Sequence, residues 1–343
     1  VSFFQVLQFN MLEFRLSTIS YFLPILFFPL AQNNIEKFET YFVYILKISI
    51  AYTFFEQFFS LIGYRTFFEH LYSNSGIVTE NQIGAKSFGL YRIWGLVGSP
   101  QLLGVFHLMT IFFMLHRREH LWAFLSVIAV ILSTSKTAYL ILFIVSILYI
   151  IHLKKYALAL LTLIILSLIT ILSFNFYFFL IDSMTADSYP AFTNFIGSII
   201  GYETLLFNVE EESAPGHFIS GGPLITLVSY FMQNPLEIIL GKGLTYSFTQ
   251  EFIVQSELSN YLYLTSDFYI LSFFEQYGVV GILILSYIFL IYPLIKIFHK
   301  KNVIYFIPIV FFLSMFHYPP HIPKLIMLLA SYPLWKLYFY GNK

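Results

Sequence analysis

Apolar runs long enough to cross a lipid hydrocarbon core, about 20 residues with allowance for tilt, recur along this chain. They fall at 16–31, 41–63, 100–116, 156–181 and 268–293, and two shorter runs follow at 303–317 and 323–340. Such repetition restricts the chain to helices that satisfy their own backbone hydrogen bonds, because lipid offers none in exchange. The supply of charge leads to the same class. Of 343 residues, 58% are apolar and 10% charged, whereas soluble domains carry about a quarter charged residues. The expected fold is all-α: a polytopic integral membrane helical bundle over residues 1–343, with a large extracytoplasmic loop containing short helices.

The stretch 119–153 is too long for one helix and is interrupted by Ser133-Thr134-Ser135-Lys136-Thr137. A single tilted span would bury Lys136 at mid-membrane, a cost of several kcal/mol unless the charge is paired. The reading is therefore a tight hairpin of two short helices, 119–133 and 138–153, which brings the count to nine spans. Arg117-Arg118, Lys154-Lys155, Lys296 with Lys300-Lys301, and Lys336 with Lys343 then share one side, and Lys37 joins them. By the positive-inside rule that side is cytoplasmic. Residues 64–99 and 182–267 become the external segments, and the C-terminus lies inside. Counting back places the N-terminus outside. With Val1 as first residue and a strongly aromatic stretch at 1–14, the bundle is expected either to lack helices upstream or to start unusually.

Several function classes drop out. The 18 basic and 18 acidic residues cancel, so there is no electrostatic footprint for nucleic acid. Cysteine is absent, which removes disulfides and thiolate chemistry. The loop 182–267 carries ten acidic residues against one basic residue, Lys242. Loops of that length are uncommon without structure of their own, and the apolar runs 192–200 and 223–240 are expected to supply short helices at the membrane surface.

Of the cations on the external side, three are candidates for binding an anion. Arg92 precedes the third span, where its rigid fork of donors suits phosphate or carboxylate; alternatively it snorkels to lipid phosphate. Lys136 sits at the tip of a hairpin whose short arms leave it recessed among hydroxyls, a setting for a pyrophosphate ligand or simply an outer helix cap. Lys242 lies between Gly241 and Gly243, whose backbone N–H groups are free to form an anion-binding concavity; alternatively it is a solvated turn lysine. Candidate bases are His217, Asp267, His317 and His321. A histidine titrates near neutrality, while Asp267 doubles as a helix cap. The turn His317-Tyr318-Pro319-Pro320-His321 is not a zinc site: two prolines oppose the helix that an i,i+4 histidine pair requires, and no neighbouring ligand completes a tetrahedron.

In their order, these stretches resemble the O-antigen polymerase and O-antigen ligase superfamily of membrane glycosyltransferases. Tyr91-Arg92-Ile93-Trp94-Gly95 through Ser99-Pro100 to Gly104 is similar to the family's arginine-glycine-proline segment. Ser133-Thr134-Ser135-Lys136-Thr137 is similar to its Ser-Arg-Thr hairpin, with Lys136 where arginine is usual. Ser220-Gly221-Gly222, Asn234-Pro235 and Gly241-Lys242-Gly243 resemble its large-loop signature, and Asp267 to Glu275, Gly278 and Gly281 the segment after that loop. One departure is plain: Gly222-Pro223 stands where relatives commonly place an arginine.

The resemblance implies polymerisation of undecaprenyl-diphosphate-linked oligosaccharide repeat units into surface polysaccharide (O-antigen, capsule or exopolysaccharide) at the outer face of a bacterial cytoplasmic membrane. It implies no cofactor and no metal. The partners it implies are a lipid-linked glycan donor and acceptor, membrane lipid, a chain-length regulator and a flippase. In that scheme Arg92, Lys136 and Lys242 bind diphosphate, while His217, Asp267, His317 or His321 takes the acceptor proton. Glycan transfer of the ligase type, and a transporter or flippase without bond-forming activity, remain open alternatives.

Overall fold

A computed structural model describes residues 27, 35–64, 86–87, 90–182, 232, 235–241, 269–300, 302–316 and 324–340. Neither glycine nor proline interrupts 35–61, and helix α1 (Ile35–Leu61) runs through all 27 residues. It stops at Gly63, whose φ of 85° lets the N–H groups of Gly63 and Tyr64 fold back on the Ser60 and Phe59 carbonyls. A two-residue antiparallel pair, β1 (Lys86–Ser87) and β2 (Leu90–Tyr91), leads toward the next helix.

From Pro100 four helices follow in tandem: α2 (Pro100–His116), α3 (His120–Leu132), α4 (Lys136–His152) and α5 (Tyr156–Asp182). The short turns between them reverse the chain each time. Arg118 and Lys154 occupy the left-handed cap position after α2 and α4, with φ of 61° and 60°. The bonds Glu119 N–H to Met114 and Lys155 N–H to Ile150 close both helices, at 2.9 and 3.2 Å. Glycine is the usual residue there; a side chain costs about 1–2 kcal/mol, but places a cation beside the negative helix end.

Within the loop stretch lies α6 (Pro235–Leu240), and after it come α7 (Tyr269–Ser286), a π-helical segment (Tyr287–Ile291), α8 (Tyr292–Lys300), a 3-10 turn (Val303–Tyr305), α9 (Phe306–Ser314) and α10 (Lys324–Tyr340). α7 is broken at Gly278, where φ is 63°. A Cβ on Gly278 would lie 2.5 Å from the Ile239 carbonyl oxygen and 2.7 Å from the Gly241 nitrogen, so the break receives the end of α6 at backbone distance.

α2 is the axis of the bundle. Leu102 through Met114 are all buried, as expected of a helix apolar all round. Ala123, Ser126 and Val130 of α3 form a buried stripe at helical spacing, as do Ala138, Ile141 and Val145 of α4. Aromatic rings fill the remaining seams: Phe112 stacks on Phe306 at 4.8 Å, and Phe113 meets Phe42 and Tyr332.

The surface inverts the order of a water-soluble helix. α1 buries Glu39, Ser49, Thr53, Glu56, Gln57 and Ser60, yet exposes Tyr41, Tyr44, Ile48, Phe55 and Phe58. α5 turns Leu160, Leu161, Ile164, Leu168 and Leu172 outward along its length. Among the described residues, three helical stretches, Lys37–Leu61, Tyr156–Ser173 and Tyr277–His299, are long and apolar enough to cross a membrane.

At the end of the bundle carrying the basic turns, one carboxylate ties three helices together. Glu39 accepts from Arg117 Nη1 at 2.7 Å, from Lys336 Nζ at 2.6 Å and from the Tyr332 hydroxyl. Lys336 also donates to His116 Nε2 at 3.0 Å. His116 is thereby left to donate from Nδ1 to the Asn302 side-chain oxygen at 3.1 Å.

Candidate functional site

The opposite end of α1 holds the segment that carries Arg92. Glu56 is fully buried, and its two carboxylate oxygens accept separately from the main-chain N–H of Trp94 at 2.8 Å and of Gly95 at 2.7 Å. Gln57, the next residue, faces the Tyr91 main chain. Oriented to satisfy both groups, its amide donates to the Tyr91 carbonyl at 3.1 Å and accepts from the Tyr91 N–H at 3.2 Å. Ile93 is fully buried. Gly95 adopts φ of 57°, and a Cβ there would stand 2.4 Å from a Leu103 methyl. The segment therefore lies flat on α2, clamped from α1 on both sides of Arg92.

The second cation arrives by a different route. α3 and α4 meet at Ser133, Thr134 and Ser135, all buried. The Ser133 hydroxyl donates to the Val130 carbonyl at 2.7 Å, and the Ser135 hydroxyl caps α4 by accepting from Ala138 N–H at 3.2 Å. Tyr139 closes the hairpin by donating to the Ile131 carbonyl at 2.6 Å. Thr134 is held at φ of 53°, a left-handed conformation unusual for a β-branched residue. Its buried Oγ1 has no hydrogen-bond partner among the described residues.

Gly104 lets this turn dock on α2. A Cβ there would lie 2.5 Å from Ala138 Cβ and 2.8 Å from Ser133 Oγ. The docking brings Lys136, first residue of α4, near enough to Arg92 for that charge to bear on it. Partial burial first, and the Arg92 charge second, hold the Lys136 ammonium below its ordinary pKa of 10.5. Two neighbouring like charges, one of them at the start of α4, favour an anion.

Of the residues singled out in the sequence, then, Arg92 and Lys136 are brought together. His217, Lys242, Asp267, His317 and His321 lie outside the described residues. Gly241, which precedes Lys242, sits against Gly278, so the large-loop stretch and the segment after it meet at that point. Glu56 and Gln57 escaped the sequence reading. The signal available was an acidic residue within an apolar run, which is costly without a partner and marks a role.

His107 is a further buried polar group. Its Nε2 lies 2.8 Å from the Thr53 hydroxyl, which itself donates to the Ser49 carbonyl. The imidazole therefore donates from Nε2 and leaves Nδ1 without a partner among the described residues.

Comparison with protein-family models, with curated proteins and with solved structures finds no match to this chain.

Proposed function

We propose that the chain is a polytopic membrane glycosyltransferase that joins undecaprenyl-diphosphate-linked oligosaccharide repeat units at the outer face of a bacterial cytoplasmic membrane. What supports this reading is the Arg92 charge bearing on Lys136 at the turn between α3 and α4, in a body that turns apolar side chains of α1 and α5 outward. In water the exposed face of α1 would be an unfavourable apolar patch. In lipid it is the expected exterior, with the buried Glu39 matched by Arg117 and Lys336 and Glu56 satisfied by two main-chain N–H groups.

In the reaction proposed, a hydroxyl of the acceptor glycan attacks the anomeric carbon of the donor glycan. A carbon–oxygen bond forms there as the bond to the diphosphate breaks. The diphosphate leaves with the bonding electron pair, and the hydroxyl proton passes to a base. Arg92 and Lys136 hold the leaving group and stabilise the charge that grows on it. His217, Asp267, His317 and His321 are the candidates for the base, and Lys242 for a third diphosphate contact. The C-terminus and the basic turns face the cytoplasm, and residues 182–267 face outward.

The test is the size ladder of surface polysaccharide in a strain lacking the gene. The expected phenotype is a collapse to single-repeat product, reversed by the wild-type gene but not by Arg92→Ala or Lys136→Ala. Full reversal by both variants would overturn the assignment. Free polymer that persists but is no longer attached would turn it toward a ligase.

A further inference from the structure

We infer that Glu56 is the positioning residue for Arg92: by holding the main chain of Trp94 and Gly95, its carboxylate fixes where the guanidinium stands relative to Lys136. The inference rests on reading Arg92 and Lys136 as the anion-binding pair, and it adds a residue that never touches the anion. Consecutive N–H groups beside a glycine of left-handed φ converge on one point and form a concavity that ordinarily takes an anion. Here the concavity is filled from within, one carboxylate oxygen to each N–H, at 2.8 and 2.7 Å. Bonds from main-chain N–H to a charged oxygen are among the stronger ones.

The neighbouring residue completes the device. Gln57 takes both main-chain groups of Tyr91, and Ile93 is fully buried beside Arg92. The stretch 91–95 is thus pinned at Tyr91, at Ile93 and at Trp94–Gly95, and Arg92 is carried on a backbone that cannot shift without breaking these contacts. Its side chain is left partly exposed to meet a ligand. A neutral amide in place of Glu56 would present an NH2 group to one of the two N–H donors. One end of the clamp would open while the helix kept its shape.

The test uses the full chain in lipid nanodiscs, with inorganic pyrophosphate as the probe and the Lys136 titration as a second readout. Lys136 is followed by NMR of methylated lysines and identified by its loss in Lys136→Arg. Glu56→Gln and Arg92→Ala are each expected to weaken pyrophosphate about tenfold, the loss of one charge-assisted contact. The double variant should bind no more weakly than Arg92→Ala alone. Both single variants should raise the Lys136 pKa, because the Arg92 charge has left its neighbourhood. Losses that add in full, or a Lys136 titration moved by Arg92→Ala but not by Glu56→Gln, would overturn the inference. If the wild-type chain binds no pyrophosphate, the anion-site reading fails, and the titration alone decides whether Glu56 places Arg92. Should Glu56→Gln not fold, Glu56→Asp keeps the charge and withdraws it by one methylene. A smaller upward shift is then expected, and a wild-type titration counts against the inference.

Discussion

Of the two cations at the candidate site, Lys136 is the one that carries a pH dependence. Its pKa lies below the ordinary 10.5, through burial and then Arg92. The folded state therefore holds this proton less tightly than the unfolded chain does. The resulting destabilisation is fully present below the folded pKa and is relieved as pH rises through it toward the unfolded value. An anion between the two cations reverses the preference, since it binds the charged form. Once the probe's own ionisation is accounted for, pyrophosphate affinity should therefore fall on the alkaline side earlier than an ordinary lysine would dictate. Lys136→Arg should remove that alkaline fall, because arginine does not titrate there, and isothermal titration across the alkaline range would check both. Arg92 and Lys136 were legible in the sequence because a basic residue at the edge of an apolar run is conspicuous. Glu56 was not, because its partners are main-chain N–H groups 38 and 39 residues away, which no side-chain pattern encodes.

Among the elements, the hairpin of α3 and α4 shows how a local motif and a distant glycine must agree. The hydroxyl run Ser133-Thr134-Ser135 marks the turn in the sequence, and Ser135 caps the helix that follows. What the run does not reveal is where the turn goes, because that depends on Gly104 of α2 having no side chain. Gly104→Val is expected to drive the helices apart at a cost of about 1–3 kcal/mol, the usual penalty for overpacking. It should also lower pyrophosphate affinity by moving Lys136 away from Arg92. Thermal unfolding together with the binding isotherm would separate the two effects, and unchanged affinity would show that the docking does not set the site. The beginning of α1 was hidden for a related reason. The apolar run starts at 41, but the helix starts at Ile35, because the charge on Glu39 is matched by Arg117 and Lys336 from elements far along the chain.

Across the whole molecule, α1 links two polar clusters through its buried carboxylates. Glu39 near its start gathers the cations of the basic end, and Glu56 near its finish holds the segment of Arg92. At 1.5 Å per residue they stand about 26 Å apart along the axis, close to the thickness of a hydrocarbon core. Removing Glu39 leaves Arg117 and Lys336 facing each other without a counter-charge. Glu39→Ala should cost about 3 kcal/mol, the low end for a broken buried pair because both cations reach water. Adding Lys336→Met should recover part of that loss, by removing the uncompensated charge. The same polarity predicts sidedness, and a chain without cysteine lends itself to testing it. Arg118 and Lys155 are exposed in the basic turns, and Tyr64 is exposed at the far end of α1. In intact spheroplasts, a membrane-impermeant maleimide should label Tyr64→Cys, and should reach Arg118→Cys and Lys155→Cys only after permeabilisation. The opposite pattern would put Arg92 and Lys136 on the cytoplasmic side. Polymerisation at the outer face would then be ruled out whatever the two cations bind, because α1 sets the two clusters at its opposite ends.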